Sequence, residues 1–489
     1  MAKTDKVPYQ RGQLIGLITG IVLFVLIFWV IPFDGLSQAG VGVLATLALM
    51  GSWWISEAIN TGITGLVPLV LLPMTGALGA GPTAAAYGNN TIFMFFGGFA
   101  IALALERWNL HNRIALTIIN LVGTSLNRLI IGILLSATFI SMWVSNTATA
   151  LMLLPIANAI GTKIADLLKE ESADNALDAS KFKKSVVMAT GFGAIIGGSM
   201  TLIGTPTNIS LASFSDQLLG FEVPFANFII FEAPLAILQI VTTIVILNYV
   251  YYKFTVTKLA AGKEYIEEEK KKLCSMGYEE KVVMTIFLLT VFFWVTRTFI
   301  WQDLVPGLSD TVISIIAAII MFLIPNKEGS RILDADAVRK MPWAVILMLM
   351  GGMAIAAGFT QTDLAEWLGS QLLLFQGQPD FVLIIVVTAM ALLVTQVAPN
   401  TATGTIMIPI AASIGQAVGM EPFYLMTAAA LGSGFAATLP SGTPLMGIIY
   451  GQGDFEMKEL IKIGIPFVLV SFVGIILLVQ FLVPVLFGV

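Results

Sequence analysis

Two short polar strings stand out in an otherwise apolar chain. Residues 145–157 read SNTATALMLLPIA and residues 399–411 read PNTATGTIMIPIA, sharing Asn, Thr, Ala, Thr, Pro, Ile and Ala in register at a shift of 254 residues. A second matched pair, Gly204-Thr205-Pro206 and Gly442-Thr443-Pro444, follows at a shift of 238. Where Asn-Thr opens a helix, the first N–H groups have no helical partner and the positive helix end points at the turn. Gly-Thr-Pro does the same inside a span: glycine frees the backbone, proline cannot continue the ladder, and the hydroxyl adds a donor. Four helix ends converging on one cavity suit an anion. No lysine, arginine or histidine lies near these turns. Burying an unpaired carboxylate costs several kcal/mol. Helix ends at ~0.5–2 kcal/mol each and charge-assisted hydrogen bonds at ~1.5–3 each offset one or two carboxylates, and a bound cation adds to that.

The elements that must position these strings are membrane spans. Of the 489 residues, 57% are hydrophobic and 11% charged, with a mean hydropathy of +0.91; soluble domains carry roughly a quarter charged residues. Apolar stretches long enough to cross ~30 Å of hydrocarbon recur along the chain, so the fold class is an all-α polytopic membrane protein. The longest polar stretch, about residues 253–281, is too short for a soluble domain of ~50 residues. The first apolar run ends in Trp29-Val30-Ile31-Pro32 without a small-residue cleavage site and reads as a retained span. One cysteine, Cys274, excludes an intrachain disulfide and a cysteine metal site. The one histidine, His111, falls in the basic segment Arg107–Arg113 and is expected to be an interfacial loop residue. With no histidine pair for a metal and none inside a span to activate a serine, the chain is not an enzyme.

Lysine and arginine cluster in segments around 3–11, 107–128, 163–184, 253–281, 327–340 and 458–462, which the positive-inside rule places in the cytoplasm. The intervening polar points are acidic, apart from Arg297, expected to snorkel to the interface beside Trp294 and Trp301. Residues 129–160 have basic flanks on both sides and 381–418 acidic flanks on both sides, so each is read as a re-entrant helical hairpin with its turn near mid-membrane. Eleven transmembrane helices remain, near 12–32, 39–57, 62–80, 90–107, 184–213, 225–251, 282–301, 309–325, 342–362, 423–450 and 460–487, with the N-terminus cytoplasmic and the C-terminus outside. The organisation is 1–38, an N-terminal tail and first span; 39–251, a first repeat; 252–281, a cytoplasmic linker; and 282–489, a second repeat. The stretch Glu264–Glu280 reads as a cytoplasmic helix or linker.

The same 254-residue shift aligns Gly97-Gly98-Phe99-Ala100-Ile101-Ala102 with Gly351-Gly352-Met353-Ala354-Ile355-Ala356. Glycine pairs also serve close helix packing, but three matched pairs in one order define a repeat. Its copies are separated by five spans and therefore lie in opposite orientations. Inverted repeats with interrupted helices in matching places point to a secondary transporter with a midplane site.

The paired Asn-Thr hairpin tips, the paired Gly-Thr-Pro breaks and the inverted repeat resemble the divalent anion/sodium symporter (DASS) family of di- and tricarboxylate transporters, from about residue 40 to the end. The resemblance implies substrate contacts at Ser145, Asn146, Thr147, Thr205, Asn400, Thr401, Thr443 and Pro444. It implies sodium sites at Ser141, Ser145, Asn146 and Gly204, and at Thr395, Ala398, Asn400 and Gly442. It further implies a homodimer with an elevator mechanism and no cofactor other than Na+ as coupling ion. The chain departs from the family pattern at Pro399, where serine is expected, and at Leu445-Met446, where Pro-Asn is usual. Some relatives, such as plastid 2-oxoglutarate/malate translocators, are exchangers. The sequence is therefore read as an elevator-type transporter of four- to five-carbon dicarboxylates (malate, succinate or 2-oxoglutarate) in a prokaryotic plasma membrane. Its partners are the dicarboxylate and membrane lipid, not nucleic acid. Pro399 tips the reading toward dicarboxylate exchange, with sodium symport as the alternative. An anion channel fits less well, because the polar residues form two mid-depth patches and not a continuous lining.

Overall fold

The structure, a computed structural model, describes residues 9–171, 175–254, 271, 273, 275–371, 377–452 and 455–488. Cys274 and most of the Glu264–Glu280 stretch lie outside the described residues. Among the described residues the regular structure is helical, apart from one isolated bridge between Pro325 and Arg331. Nine described helices have the length and apolarity to cross a bilayer, and four shorter apolar segments accompany them.

Both expected hairpins are present as helix pairs. The first joins Leu126–Ser141 to Asn146–Glu171, and the second joins Asp380–Thr395 to Asn400–Val418. Their second arms carry Pro155 and Pro409 at repeat-related positions. Each hairpin packs along one half of a broken span: the first on Ala176–Ser199, which resumes as Pro206–Leu219, and the second on Pro422–Gly434, which resumes as Pro444–Gly451.

The repeats also clasp one another. Asn90–Arg107 packs on Asp310–Leu323, and its repeat mate Trp343–Gln361 packs on the short helix Thr61–Thr64. The matched glycines make those contacts close. A Cβ on Gly97 would stand 2.6 Å from the Ser314 carbonyl carbon, and one on Gly351 would stand 2.7 Å from the Gly65 Cα. The first glycine of each pair thus serves packing between repeats, the second packs within its own repeat against Ile203 or Thr405, and the polar chemistry is left to the other two motif pairs.

Four expectations are corrected. The span expected over 62–80 is two short helices, Thr61–Thr64 and Pro68–Met74, ending at Gly76 with φ +72°; Pro68 and Pro73 interrupt the ladder. The hairpin expected to end at 160 continues to Glu171, because Ile164, Ala165 and Leu168 keep a buried helical face through the charged segment. Residues Leu110–Val122 form a helix whose buried face is Leu110, His111, Ala115, Leu116 and Ile119. His111 is therefore a buried helical residue, and burial holds its imidazole below the ordinary value. Arg297 does not snorkel. Its side chain is 7% exposed, and its Nε lies 2.7 Å from Asp310 Oδ1 while a terminal nitrogen lies 3.0 Å from Glu222 Oε1.

Candidate functional site

The two hairpin tips and the two span breaks meet around one cavity of about 350 Å³. Ser145, Asn146, Thr147, Thr205, Asn400, Thr401, Thr443 and Pro444, the eight residues singled out for substrate contact, all line it. Sequence reasoning missed Glu57, Thr61, Pro342, Val345 and Met348, which complete the wall from the opposite repeat elements. The signal of Glu57 and Thr61 was hidden because the segment around Thr61 is too short and too broken to show a helical period; Pro342, Val345 and Met348 belong to an expected span but carry no polar motif. Among the described residues Glu57 is the one charged residue of the lining; it is exposed and caps Gln38–Ser56 in the left-handed region at φ 49°.

Repeat symmetry extends to individual dihedral angles. Thr205 and Thr443 are both extended, at φ −139°, ψ 144° and φ −144°, ψ 148°, and each is followed by proline as the first helical residue. Proline at that position has no N–H to lose and its fixed φ suits the helix start. Thr443 Oγ1 also accepts a hydrogen bond from the Met446 N–H at 3.1 Å. The first-turn N–H groups of four helices thus open toward the cavity region from two sides.

Behind the cavity each tip is closed on itself by the same device. Ser141 Oγ donates to Asn146 Oδ1 at 3.1 Å, and Thr395 Oγ1 donates to Asn400 Oδ1 at 2.8 Å. Asn400 Nδ2 donates to the Gly434 carbonyl at 3.0 Å, at the C-terminal end of the half-span. An amide offers two donors and two acceptor lone pairs, so Asn400 keeps one N–H and one lone pair for other ligands. In the first repeat Gly198 approaches Asn146 so closely that a Cβ there would stand 2.8 Å from Asn146 Cγ.

The glycines of the breaks border small oxygen-lined spaces. A Cβ on Gly204 would stand 2.6 Å from the Gly198 carbonyl oxygen and 2.9 Å from that of Ser141. A Cβ on Gly442 would stand 2.8 Å from the Thr395 carbonyl oxygen and 2.9 Å from that of Gln396. Ser141, Gly204, Thr395, Ala398 and Gly442, singled out as cation ligands, sit behind the tips and outside the cavity lining. Unwound carbonyls and helix C-terminal ends are the donor set that coordinates small cations in broken-helix transporters.

Supporting residues were also not foreseen. Asn208 Nδ2 donates to the Ser199 and Thr201 carbonyls at 2.8 Å each, closing the first break. In the second break Gln396 Oε1 accepts from the Ala437 and Thr438 N–H groups at 3.2 Å each and from Thr438 Oγ1 at 2.7 Å. The two loops therefore use different side chains for the same work, so no repeat pattern could have flagged them. Pro399 caps the second tip, where its carbonyl accepts from the Thr403 N–H at 3.0 Å and from Thr403 Oγ1 at 3.1 Å.

Residues 12–489 match the family described as the sodium:sulfate symporter transmembrane region. The chain is 39% identical over 492 residues to the sodium-dependent dicarboxylate transporter SdcS of Staphylococcus saprophyticus, covering 100% of this chain and 94% of that one. It is 40% identical over 489 residues to SdcS of Staphylococcus aureus strain USA300, covering 99% and 94%. Among solved structures, the YdaH transporter of Alcanivorax borkumensis aligns with a TM-score of 0.57 at 13% identity over 98% of this chain and 99% of that one. MtrF of Neisseria gonorrhoeae aligns with a TM-score of 0.55 at 11% identity over 97% and 95%. At such identities these two likenesses concern the fold alone.

Proposed function

This chain belongs to the sodium:sulfate symporter family of membrane transporters, and from that premise we propose that it is a sodium-coupled symporter of four- to five-carbon dicarboxylates. The observation that carries the reading is the pair of Asn-Thr tips and the pair of Thr-Pro helix starts lining one cavity, with an oxygen-lined space behind each tip. Each tip offers a carboxylate neutral hydroxyl, amide and N–H donors, and a diacid presents one carboxylate to each repeat. Val345, Met348 and Leu445 supply apolar wall between them, suited to the methylene chain.

Sodium coupling is preferred to exchange for a structural reason as well as for the names of the SdcS relatives. Pro399 removes one hydroxyl from the substrate side of the second tip, yet the cation side does not involve its side chain. Thr395, Asn400 and Gly442 keep the same arrangement as Ser141, Asn146 and Gly204. The departure at Pro399 therefore bears on substrate fit and leaves the coupling apparatus whole. A dianion in a cavity without basic residues gains from nearby cations, which makes binding of the two ligands cooperative.

In this reading the hairpins and broken spans move as one body against Gln38–Ser56, Asn90–Arg107, Asp310–Leu323 and Trp343–Gln361, in a homodimer of the plasma membrane with the N-terminus inside and the C-terminus outside. Cysteines at Asn175 and Gly377, in a Cys274→Ser background, then label from the cytoplasm and from outside respectively. The function is tested by uptake of labelled succinate into liposomes under an inward sodium gradient or in choline. Uptake that needs sodium and proceeds into empty vesicles supports symport. Uptake that ignores sodium and requires internal dicarboxylate supports exchange instead.

A further inference from the structure

The helix Phe225–Val245 carries a carboxyl group that the transport site does not use. Glu232 is fully buried, and among the described residues neither of its carboxyl oxygens has a hydrogen-bond partner. Its helical neighbours on the buried face are Phe228, Phe231, Leu235 and Ala236. The Ser199 hydroxyl lies alongside but donates to the Ile196 carbonyl at 2.8 Å. An ionised carboxylate left without a donor in such a place costs several kcal/mol, whereas the neutral acid does not carry that charge penalty. Ionisable residues inside membrane spans are rare and mark ion pathways and proton relays.

Two further observations give the group a route and a purpose. Gln239 and Thr243 follow Glu232 at successive spacings of seven and four, so they share its helix face, and Asn248 lies in the turn beyond. All three are buried, and Gln239 Oε1, Thr243 Oγ1 and both Asn248 side-chain atoms have no partner among the described residues. Buried polar atoms of this kind are satisfied by ordered water. The file ends beside the exposed Tyr249 and Val250, at the end of the helix nearer the basic segments. In the other direction, Ser199 adjoins Gly198, the residue packed against Asn146 at the first oxygen-lined space.

Among the described residues, no charged group faces Glu232 from the helices packed on this one. On Ala176–Ser199 the charges are Asp178, Lys181, Lys183 and Lys184, and on Met457–Phe487 they are Lys458, Glu459 and Lys462, all in the turns at the basic-segment end. Tyr278–Thr296 has Tyr278, Glu279, Glu280 and Lys281 at that same end, with Arg297 just past its other end and paired to Asp310 and Glu222. Leu126–Ser141 has Arg128 in its first turn.

We infer that Glu232 is a proton-binding site of this transporter, filled from bulk water along the Asn248–Thr243–Gln239 file, and that the protein moves its substrate with that proton bound. The inference rests on the transport reading for its consequence, but not for the proton itself. Two measurements test it. Infrared spectroscopy of the purified protein in lipid should show a buried carboxylic-acid band at neutral pH that is missing in Glu232→Gln and disappears reversibly as pH rises. Succinate uptake should fall in the wild type as pH rises from neutral into the alkaline range, about tenfold per unit beyond the midpoint. Glu232→Gln, which mimics the neutral acid, should keep uptake at neutral pH and lose this dependence. A missing band, a band unmoved by pH, or identical pH profiles for the two proteins would each overturn the proposal. A titrating band in a protein that transports no dicarboxylate would leave the proton site standing and overturn the substrate reading instead.

Discussion

Gly442→Ala adds one methyl group at the oxygen-lined space behind the second hairpin tip. Its Cβ would stand 2.8 Å from the Thr395 carbonyl oxygen, 2.9 Å from that of Gln396 and 2.8 Å from Ala436 Cβ. Gly442 is not among the glycines with positive φ, so the backbone conformation accepts alanine and the cost is steric. Overpacking of this kind destabilises by about 1–3 kcal/mol. The methyl also takes the space a cation would occupy between the two carbonyls. Two charge-assisted interactions at about 1.5–3 kcal/mol each correspond to a loss of about 10²–10⁴ in sodium affinity. The assay is thermal unfolding of the purified protein in increasing sodium chloride against choline chloride. Ligand that binds the folded state raises the melting temperature with concentration, so the wild type responds to sodium and Gly442→Ala responds far less. Gly447→Ala is the control, because its Cβ would meet only the Pro440 carbonyl, at an ordinary 3.5 Å. A Gly442→Ala protein with wild-type sodium stabilisation and wild-type uptake would refute the assignment of this space to a cation.

Asn400→Ala removes the donor to the Gly434 carbonyl and one of the two acceptors of Thr395 Oγ1, which keeps the Ser433 carbonyl; at about 1–3 kcal/mol for the group left unsatisfied, the protein should still elute as a folded species while uptake in liposomes is lost. Glu57→Gln removes the one charge among the described residues of the cavity lining, and since salt screens the repulsion of this exposed group the affinity for a dianion should rise only about 2–5-fold, measured by titration calorimetry. Arg297→Met leaves Asp310 buried without its partner and should destabilise by roughly 3–5 kcal/mol, with Asp310→Asn recovering part of that in the double variant, as read from thermal melting. His111 is held neutral by burial, so its contribution to stability is present above about pH 6.5 and is lost as pH falls below it; the melting temperature of His111→Gln should depend less on pH between about 7.5 and about 5 than that of the wild type.

Much of this molecule was legible in the sequence, because the bilayer restricts what an apolar chain can do. Hydrocarbon demands that backbone groups be satisfied within helices, so composition alone led to an all-helical membrane protein. Charge flanks of matching sign marked both hairpins, and the second was bounded within one residue at its start. The paired Asn-Thr and Gly-Thr-Pro strings were readable because a helix start and a helix break each require particular residue types, whatever surrounds them. That is why the eight residues named for the substrate line a single cavity.

Other features were decided only by tertiary packing. The short helices after Asn60 form where prolines interrupt an apolar run, and they are held by Gly65 and Gly351 meeting across the repeats. Arg297 looked like an interfacial arginine until the fold set Asp310 and Glu222 beside it, residues 13 and 75 positions away along the chain. Glu57 and Met348 reach the cavity from elements whose sequence carries no polar motif. Gln396 and Asn208 close the two breaks by unrelated hydrogen bonds, since a loop needs only that its carbonyl and N–H groups be satisfied and several side chains can do that. Sequence patterns record what a residue must do for its own stretch of backbone; which distant group it meets is set by the packing of the helices around it.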